Sequence, residues 1–333
     1  MKGTILVVGG AGYIGAQMVK RLVAASYRPI VLDNLSGGRR ESVKCGQLVV
    51  ADVGDAGVLE ALMQAFEFDA VMHFASFIQV GESVADPARY YDNNVGNTVR
   101  LLSAMVRHKI RRFIFSSTAA IFGEPHYVPI DEKHPKEPIN PYGRSKWMVE
   151  QILSDFDRAY GVRSSCLRYF NAAGADPDGE TGECHEPETH LIPLVLQVAS
   201  GRRGAINIYG ENYETADGTC VRDYIHVADL ADAHLLALEA LLDGGPSTRY
   251  NLGNGAGYSI LDVIGAAERV TGSTIKRESG PRRPGDPPVL VADASLAKAQ
   301  LRWRPQFASL DTIIEHAWQW ERQHFADEHV RPS

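Results

Sequence analysis

A tyrosine and a lysine stand four residues apart in the segment NPYGRSK, at Tyr142 and Lys146. Asn140 and Pro141 before them predict a helix start, because Asn favours the N-cap and Pro the first turn. On a helix, residues at this spacing lie on one face. An ammonium beside a phenol lowers the pKa of the phenol from ~10 toward working pH. The pair therefore predicts proton transfer at a hydroxyl; for the spacing alone, an exposed helix face is the alternative.

Three consecutive hydroxyl residues, ending in Thr118, close a β-prone segment at residues 112–117 in the stretch FSSTAAIFG. The next two positions are Ala119 and Ala120, whose side chains cannot transfer protons. The strand end therefore offers a hydrogen-bonding hydroxyl with no acid or base directly beside it.

A glycine-rich turn supplies Gly9, Gly12 and Gly15 directly after the apolar run Thr4–Val8. Glycine is required where a tight turn brings the backbone close to a pyrophosphate, which then faces a helix N-terminus. A tight strand-to-helix turn would also explain the glycines alone. Asp33 ends the next strand, however, at the distance expected for a carboxylate that binds a ribose 2′-hydroxyl. Because that carboxylate would repel a 2′-phosphate, the segment predicts NAD binding rather than NADP binding.

The elements that must position these groups alternate along the first half of the chain. Apolar strands predicted at residues 4–8, 29–32, 47–51, 70–74 and 112–117 are separated by helices at 13–25, 58–66 and 90–108. Near-continuous apolar strands between amphipathic helices indicate an α/β fold with a parallel sheet covered on both faces. We therefore expect a doubly wound (Rossmann) sheet.

The pattern changes after residue 171. Residues 171–190 form a segment rich in Gly, Pro and acids, which predicts a long loop that covers a ligand. Short strands are then predicted at 206–209, 221–226 and 250–252, and helices at 228–242, 260–271 and 310–322. We expect an NAD-binding domain at 1–170, to which part of 218–255 returns, a smaller α/β substrate-binding domain at 171–324, and a mobile tail at 325–333.

Composition excludes several classes of protein. The 333 residues are 44% hydrophobic and 23% charged, as in ordinary globular proteins. A net charge of −7 argues against nucleic-acid or acidic-membrane partners. No apolar run approaches the ~20 residues of a membrane span, and no signal peptide is recognisable. Four scattered cysteines without a CxxC pair predict reduced thiols and a cytoplasmic location.

Longer blocks carry a family resemblance. Together with GGAGYIG and the YxxxK helix, the blocks VGESVADPARYYDNNVGNTVRLLSAM, LRYFNAAGADPDGETGE, GTCVRDYIHVADLADAH and RRPGD resemble the UDP-glucose 4-epimerase (UDP-galactose 4-epimerase) family of the extended short-chain dehydrogenases/reductases, over about residues 3–322. The resemblance implies reversible inversion at C4 of UDP-glucose or UDP-galactose through a 4-keto intermediate, with transient hydride transfer to tightly bound NAD. It also implies a role in galactose metabolism and nucleotide-sugar supply, and a homodimer.

The resemblance assigns roles to individual residues. Tyr142 becomes the general base and acid at the sugar 4-hydroxyl, Lys146 tunes it and binds the nicotinamide ribose, and Thr118 donates a hydrogen bond to the 4-oxygen. The implied NAD contacts are Gly9, Gly12, Tyr13, Ile14, Gly15, Asp33, Asn34, Ser36, Asp52, Val53, Phe74, Ala75, Asn93, Tyr142, Lys146 and Tyr169. The implied UDP-sugar contacts are Thr118, Tyr142, Asn171, His190, Leu191, Asn207, Tyr209, Arg222, Arg283, Asp286 and Leu290.

Some of these assignments have alternatives on sequence grounds. Asp52 is explained equally well as a strand-end turn or helix cap. Arg222 and Arg283 suit phosphate oxygens because a guanidinium fork matches them, and a surface salt bridge is the default for any arginine. The sequence has Ile78 where some family members carry a lysine near the cofactor, and His190 where some have Asn. What replaces the lysine, and what His190 contacts, stay open.

Substrate range and rival activities are also predicted. Leu290 stands where the family is thought to gate the sugar pocket, and its intermediate size predicts weak or no activity on N-acetylated sugars; UDP-pentoses and uronates stay open. A nucleotide-sugar 4,6-dehydratase needs an acid/base pair after the threonine, which Ala119 and Ala120 do not supply. An NAD-binding sensor or scaffold is a further alternative, although such proteins tend to lose the tyrosine–lysine pair.

A metal site is not predicted. Cys184, His185, Glu188 and His190 are close together in ECHEPETH, but their spacing fits no zinc template. A polar loop over a nucleotide explains the segment better.

Overall fold

The structure, a computed structural model, describes residues 1–283 and 286–325. The tail predicted at 325–333 lies outside these ranges except for Phe325. The strands within them are β1 Thr4–Val8, β2 Arg28–Asp33, β3 Gln47–Val50, β4 Ala70–His73, β5 Arg112–Thr118, β6 Arg163–Tyr169, β7 Asn171–Ala173, β8 Ile206–Tyr209, β9 Val221–His226, β10 Thr248–Leu252, β11 Gly257–Ser259, β12 Arg277–Gly280 and β13 Val289–Leu290.

The helices in the same ranges are α1 Tyr13–Ala24, α2 Ala56–Ala65, α3 Val80–Ala85, α4 Pro87–Tyr91, α5 Asn97–Arg107, α6 Pro141–Tyr160, α7 Leu191–Ala199, α8 Val227–Leu242, α9 Ile260–Thr271, α10 Ser295–Gln300 and α11 Leu310–His324. A π-helical turn covers Asp92–Gly96, and 3₁₀ turns cover Arg40–Ser42 and Ala119–Ile121. Within the described part of the chain, no helix has both the length and the apolar character needed to cross a membrane.

The main sheet has seven strands in the order β10-β6-β5-β4-β1-β2-β3, and all neighbours are parallel. Strand order reverses between β1 and β4, which is where doubly wound sheets bind ligands beyond the carboxyl ends of their strands. The predicted Rossmann fold is therefore confirmed. The seventh strand, β10, comes from within 218–255, the segment expected to return; the domain boundaries themselves stay a prediction.

Apolar strand residues pack into a core on each face of this sheet, because adjacent side chains point to opposite faces. On one face, Val7 and Val31 pack with residues of α1 and α8, such as Leu22 and Leu238. On the other face, strand residues such as Leu6 pack with α2, α5 and α6. Each layer of helices is thus packed against the sheet through an apolar core. This packing fixes the position of the strand ends that carry the polar groups.

A smaller lobe is built on β9, whose neighbours are β11, β13 and β7, with β8 and β12 as a separate parallel pair. Helices α7, α9 and α11 pack together on a third apolar core that includes Val195, Val263 and Ile313. Strand β9 runs directly into α8, so the lobe joins the main sheet without a linker.

Two predicted elements differ in the structure. The single helix predicted at 90–108 is divided into α4, the π-helical turn and α5, because the Asn94 side chain turns inward to bind the backbone of Phe77. The loop predicted at 171–190 begins with a strand, β7, which pairs with β9. A strand of three residues is too short to show an alternating pattern.

Candidate active site

The glycine-rich turn fits a pyrophosphate. Gly9 has a φ of +82°, and a Cβ there would lie 2.4 Å from the Ala75 nitrogen. A Cβ at Gly15 would lie 2.1 Å from the Gly9 oxygen, so helix α1 can pack this closely only with glycine. Gly12, the N-cap of α1, meets only the Gly9 oxygen at 3.6 Å, and no side chain caps the helix. The free N–H groups and the helix dipole therefore point toward open space that suits an anion.

The predicted adenosine-side residues follow the next two strands. Asp33 ends β2 and is buried; its carboxylate accepts hydrogen bonds from Ala11 N at 2.9 Å and Leu35 N at 2.8 Å. The Asn34 side chain donates to Asp52 at 2.7 Å and accepts from Ser36 N at 3.0 Å. The carboxylate at the strand end is thus fixed by one backbone donor of the glycine turn, Ala11, and one that follows β2, Leu35, where a ribose would lie.

The remaining predicted cofactor contacts gather at the same edge of the sheet. Phe74 and Ala75 follow β4, Thr118 ends β5, and Tyr169 ends β6. Val53 is buried after β3, and Ile14 is on the first turn of α1. Because all these strands are parallel, their carboxyl ends form one continuous rim that faces the glycine turn.

The tyrosine–lysine helix begins as predicted. Helix α6 starts at Pro141, and the Asn140 side chain caps it by accepting a hydrogen bond from Gly143 N at 2.8 Å. Lys146 is 3% exposed, and its Nζ donates to the Ser116 carbonyl oxygen at 2.8 Å. The same Nζ lies 6.0 Å from the centre of the Tyr142 ring. Burial lowers the pKa of Lys146 to about 7.

The pKa of Tyr142 shifts in the direction opposite to the one predicted from sequence. Burial raises it above the ordinary value, and the interaction with Thr118 lowers it only in part. In the chain by itself, burial outweighs every lowering influence on the pKa of Tyr142, and the tuning of the phenol by Lys146 stays a prediction. The protein places base and cation together but does not ionise the phenol unaided.

Thr118 is buried at the end of β5 and interacts with Tyr142. Its Oγ1 accepts a hydrogen bond from Ala120 N at 3.1 Å, which leaves its hydroxyl hydrogen free to donate elsewhere. Ala119 and Ala120 form the 3₁₀ turn that follows, and neither side chain can exchange protons. The hydroxyl and the phenol are thus neighbours without a carboxylate directly after Thr118.

The predicted nucleotide-sugar residues lie mainly on the smaller lobe, around β9. Arg222 on β9 forms an ion pair with Asp286, and its register partner on β13 is Leu290. Leu290 packs against the apolar cluster that contains Ala119 and Phe122, next to the end of β5. The structure therefore brings the predicted gate residue to the strand end that carries Thr118.

Other predicted sugar-side residues lie on the neighbouring strands. Asn171 opens β7 and is in register with Tyr224 of β9. Asn207 and Tyr209 lie on β8, and the Arg283 guanidinium stacks on the Tyr209 ring at 4.0 Å from its centre. Two guanidinium groups thus lie on this lobe, that of Arg222 paired with Asp286 and that of Arg283 stacked on Tyr209; their binding to phosphate oxygens stays a prediction.

His190 is the N-cap residue of α7, directly before Leu191. Its Nδ1 lies 2.7 Å from Glu183 and 3.1 Å from Glu188. Burial alone would lower the pKa of His190, but the two carboxylates raise it well above the ordinary value. The ring nitrogen that faces the loop is therefore engaged within the protein.

Asn93 and Asn94 lie next to the segment in which some relatives have a lysine, and what replaces that lysine stays open. Asn93 is in the π-helical turn, a type of turn frequent at functional sites. The adjacent Asn94 accepts from Phe77 N at 2.9 Å and donates to Phe77 O at 3.1 Å and to Ser145 Oγ at 3.1 Å. The segment around Ile78 is thus tied through Asn94 to the helix that carries Tyr142.

Comparison with known proteins decides the family. The model of the NAD dependent epimerase/dehydratase family matches residues 5–253. A relative from Rhizobium meliloti strain 1021, named UDP-glucose 4-epimerase, is 51% identical and covers 95% of this chain and 96% of its own.

The chain belongs to the NAD dependent epimerase/dehydratase family.

Solved structures agree with this epimerase/dehydratase membership. The UDP-glucose 4-epimerase of Brucella ovis in complex with NAD superposes with a TM-score of 0.93 at 48% identity, covering 97% of this chain and 98% of that one. The enzyme of Bifidobacterium longum in complex with NAD⁺ and UDP gives 0.91 at 38% identity, covering 96% and 98%. The family resemblance predicted from the sequence motifs is confirmed.

Several residues of the epimerase/dehydratase site were not predicted from sequence. The acceptor for Lys146 is a backbone oxygen, which side-chain patterns do not reveal. Glu150 lies one turn beyond Lys146 on α6, is fully buried, and accepts from Ser117 Oγ at 2.6 Å. A signal for it existed, since Tyr142, Lys146 and Glu150 follow at intervals of four and share a helix face.

Proposed function

We propose that this protein catalyses the reversible inversion at C4 of UDP-glucose and UDP-galactose, with NAD held as a tightly bound cofactor. Relatives at about half identity carry that activity in their names, and the similar solved structures contain NAD and UDP. The observation that carries the proposal is the placement of Tyr142 and Lys146 on one face of α6, with the Lys146 Nζ bound to the Ser116 carbonyl two residues before Thr118 at the carboxyl rim of the sheet.

The residues around the glycine turn are the ones we assign to the cofactor. The uncapped N-terminus of α1 binds the pyrophosphate, and the Asp33 carboxylate accepts from the adenosine ribose. When bound, NAD supplies a hydride acceptor for the hydrogen of C4 and a positive charge beside the phenol. Lys146, held by the Ser116 carbonyl, keeps two further N–H donors for the nicotinamide ribose.

Proton transfer is the task of Tyr142 and Thr118. Tyr142 removes the proton of the 4-hydroxyl while Thr118 donates a hydrogen bond to the 4-oxygen. Once C4 is a ketone, the same phenol returns the proton to the oxygen after hydrogen has been added to the other face of the sugar. Because burial raises the pKa of Tyr142 in the chain alone, ionisation of the phenol depends on the positive charges that surround it.

Inversion requires that the nucleotide be held firmly and the sugar loosely. Arg222 on β9 and Arg283, which follows β12 and stacks on Tyr209, supply two guanidinium groups for the diphosphate. Binding energy on the UDP portion then positions C4 without selecting one face of the ring. The sugar turns about its phosphate link between the two transfers.

Substrate range follows from the wall of the sugar pocket. Leu290 packs with Phe122 and Ala119 beside the catalytic strand end, so its side chain limits the space near the sugar. We propose that N-acetylated UDP-sugars are turned over weakly or not at all. A 4,6-dehydratase is not favoured, because the two positions after Thr118 are alanines.

We further propose a homodimer in the cytoplasm. The family resemblance supports the dimer, and the four cysteines of the chain, all unpaired, are consistent with a reducing compartment. Size-exclusion chromatography with light scattering measures the oligomeric state, and a mass equal to that of one chain would contradict the homodimer.

The test of the reaction is Tyr142→Phe in a coupled assay with UDP-galactose. We expect kcat to fall by about 10²–10⁴-fold, because the phenolic oxygen is the proton carrier, while the NAD content of the purified protein is unchanged. Tyr160→Phe, at the half-exposed end of the same helix, is the control and keeps wild-type activity. Epimerisation by Tyr142→Phe at the wild-type rate would overturn the mechanism.

The same assay measures substrate range. Wild-type protein is incubated in parallel with UDP-galactose, UDP-N-acetylgalactosamine and UDP-arabinose, and products are separated by chromatography. Efficient turnover of the N-acetylated substrate would contradict the assignment of Leu290 as a restrictive gate.

A further inference from the structure

Four side chains converge in the loop between β7 and α7. Glu183, His185, Glu188 and His190 each direct one nitrogen or oxygen toward a common centre, and these four atoms lie within 4.8 Å of one another. Both histidines use Nδ1. The Glu183 carboxylate, which is almost fully buried, meets His185 Nδ1 at 2.9 Å and His190 Nδ1 at 2.7 Å.

The second carboxylate closes the cluster. Glu188 Oε1 lies 3.1 Å from His190 Nδ1, and the other oxygen of Glu188, Oε2, lies 3.9 Å from His185 Nδ1. In a tetrahedral zinc site with metal–ligand bonds of about 2.0–2.1 Å, adjacent ligand atoms are about 3.3 Å apart. The four measured separations fall on both sides of this value. Small side-chain movements are therefore enough to place all four atoms around one ion.

We propose that Glu183, His185, Glu188 and His190 bind one Zn²⁺ per chain. Two carboxylates balance the charge of a divalent ion, and imidazole nitrogens favour zinc over magnesium or calcium. Four protein ligands fill a tetrahedral shell, which is the pattern of a structural rather than a catalytic site. The proposal replaces the expectation of no metal, which rested on the irregular spacing of Cys184, His185, Glu188 and His190; in the structure Glu183, rather than the Cys184 thiol, is the fourth group of the cluster.

The position of the cluster indicates what the ion does. The His185 ring packs edge-on against Tyr13 of α1, with 6.4 Å between centres, and the Tyr13 hydroxyl donates to Gly174 O at 2.7 Å. On the other side, Trp320 of α11 donates to the Glu183 backbone oxygen at 3.1 Å. An ion in the cluster would fix the loop against the first turn of α1, and hence over the glycine turn assigned to NAD.

The proposal is tested on full-length, tag-free protein purified from zinc-supplemented cultures. Inductively coupled plasma mass spectrometry is expected to give about one Zn²⁺ per chain for the wild type. Glu183→Gln and Glu188→Gln preserve side-chain shape, remove a charged ligand, and should lose the metal. Glu186→Gln, an exposed residue of the same loop outside the cluster, is the matched control and keeps it. Equal zinc in all four proteins would overturn the proposal.

Affinity and ligand type are measured on the same proteins. After dialysis against a chelator, zinc titration against a competing dye should show binding to Glu188→Gln weakened by more than about 100-fold, since loss of even an outer-shell partner weakens binding 10–100-fold. Wild-type protein loaded with Co²⁺ should show the absorption of a tetrahedral site without a thiolate band, a result that does not depend on how the variants fold.

The outcomes are decisive in both directions. A thiolate-to-cobalt band would place the ion on a cysteine, and failure of dialysed wild-type protein to bind zinc would leave the cluster as ion pairs only; either overturns the proposal. Metal content is independent of epimerisation, so loss of the proposed reaction and loss of the proposed site are distinguishable.

Discussion

Two buried cations lie near the end of β5, and their surroundings differ. Lys146 donates to a single protein acceptor, the Ser116 carbonyl, and has no carboxylate partner among its hydrogen bonds. Arg168 on β6 forms two hydrogen bonds with Glu150, at 2.9 and 2.6 Å, and Arg249 and Ser117 complete the shell of that carboxylate. Both cations are at most 3% exposed.

The difference indicates that Arg168 stabilises the fold, whereas Lys146 is available to bind a ligand. Burial alone would lower the pKa of Arg168, but Glu150 raises it, so its charge is permanent. Burial lowers the pKa of Lys146 to about 7 without compensation. A bidentate ion pair holds β5, β6 and α6 together, whereas an uncompensated ammonium keeps donors and charge for a ligand. The Arg168–Glu150 ion pair thus fixes α6, the helix that carries Tyr142 and Lys146.

The largest expected effect comes from breaking the Arg168–Glu150 ion pair. Glu150→Gln leaves Arg168 buried without its counter-ion, and we expect the free energy of unfolding to fall by about 3–5 kcal/mol, because an unpaired buried charge is strongly unfavourable. Urea denaturation followed by circular dichroism measures it. Asp311→Asn removes one partner of an exposed ion pair with Arg269 and is the control, with little expected change. If Glu150→Gln lowered the free energy of unfolding as little as the control does, the structural role assigned to the Arg168–Glu150 ion pair would be contradicted.

Next in size is the removal of the Lys146 ammonium. Lys146→Met keeps the length of the side chain and should lower kcat by about 10²-fold or more, since the phenol loses the adjacent charge that favours its ionised form. Stability should stay the same or increase, because a desolvated ammonium is removed. Steady-state kinetics and urea denaturation on the same preparation separate the two effects. A fall in stability with unchanged kcat would show that the roles of the two cations are reversed.

The adjacent residues Ser116 and Ser117 allow a comparison with a smaller expected effect on the free energy of unfolding. Ser117→Ala removes a donor to the Glu150 carboxylate and should cost about 1.5–3 kcal/mol of unfolding free energy, as hydrogen bonds to charged groups do. Ser116→Ala keeps the carbonyl that accepts from Lys146 and loses only the side-chain contact with Tyr169, so we expect a smaller loss. Thermal and urea denaturation measure both. Equal losses would contradict the assigned partners.

The smallest expected effect is a pH dependence carried by Lys146. Its pKa of about 7 in the folded chain is below the ordinary 10.5, so between these values the unfolded chain binds the extra proton and stability rises with pH. Relative to Lys146→Met, the wild type should gain up to about 1 kcal/mol per pH unit above pH 7. Urea denaturation of both proteins at pH 7, 8 and 9 measures the difference. Parallel curves would show that the lysine does not titrate there.

Sequence patterns predicted the parts of the molecule that rest on local rules. The glycine turn, the carboxylate of Asp33 and the cap of α6 at Asn140 each depend on residues near one another in the chain, and their elements are where they were expected. The doubly wound parallel sheet was predicted because apolar strands alternate with amphipathic helices.

What could not be predicted depends on groups that meet only in the folded chain. Arg168 finds Glu150 across two elements, and the direction of the Tyr142 pKa follows from burial that no spacing shows. The cluster at Glu183 was missed because its ligands share a loop without regular spacing, and the cysteine in the same segment was considered in place of that glutamate. Three-dimensional packing decides each of these cases.

The seventh strand has a consequence for how the chain is made. Strand β6 pairs with β10 from Ser165 to Tyr169, so the main sheet stays incomplete until residue 252 has been synthesised, after β8 and β9 of the smaller lobe. A ribosome that stops at residue 170 would release a sheet in which β6 is an edge with unpaired backbone N–H and C=O groups, the kind of edge that pairs with other chains. The cofactor half and the sugar half are therefore assembled as one unit rather than one after the other.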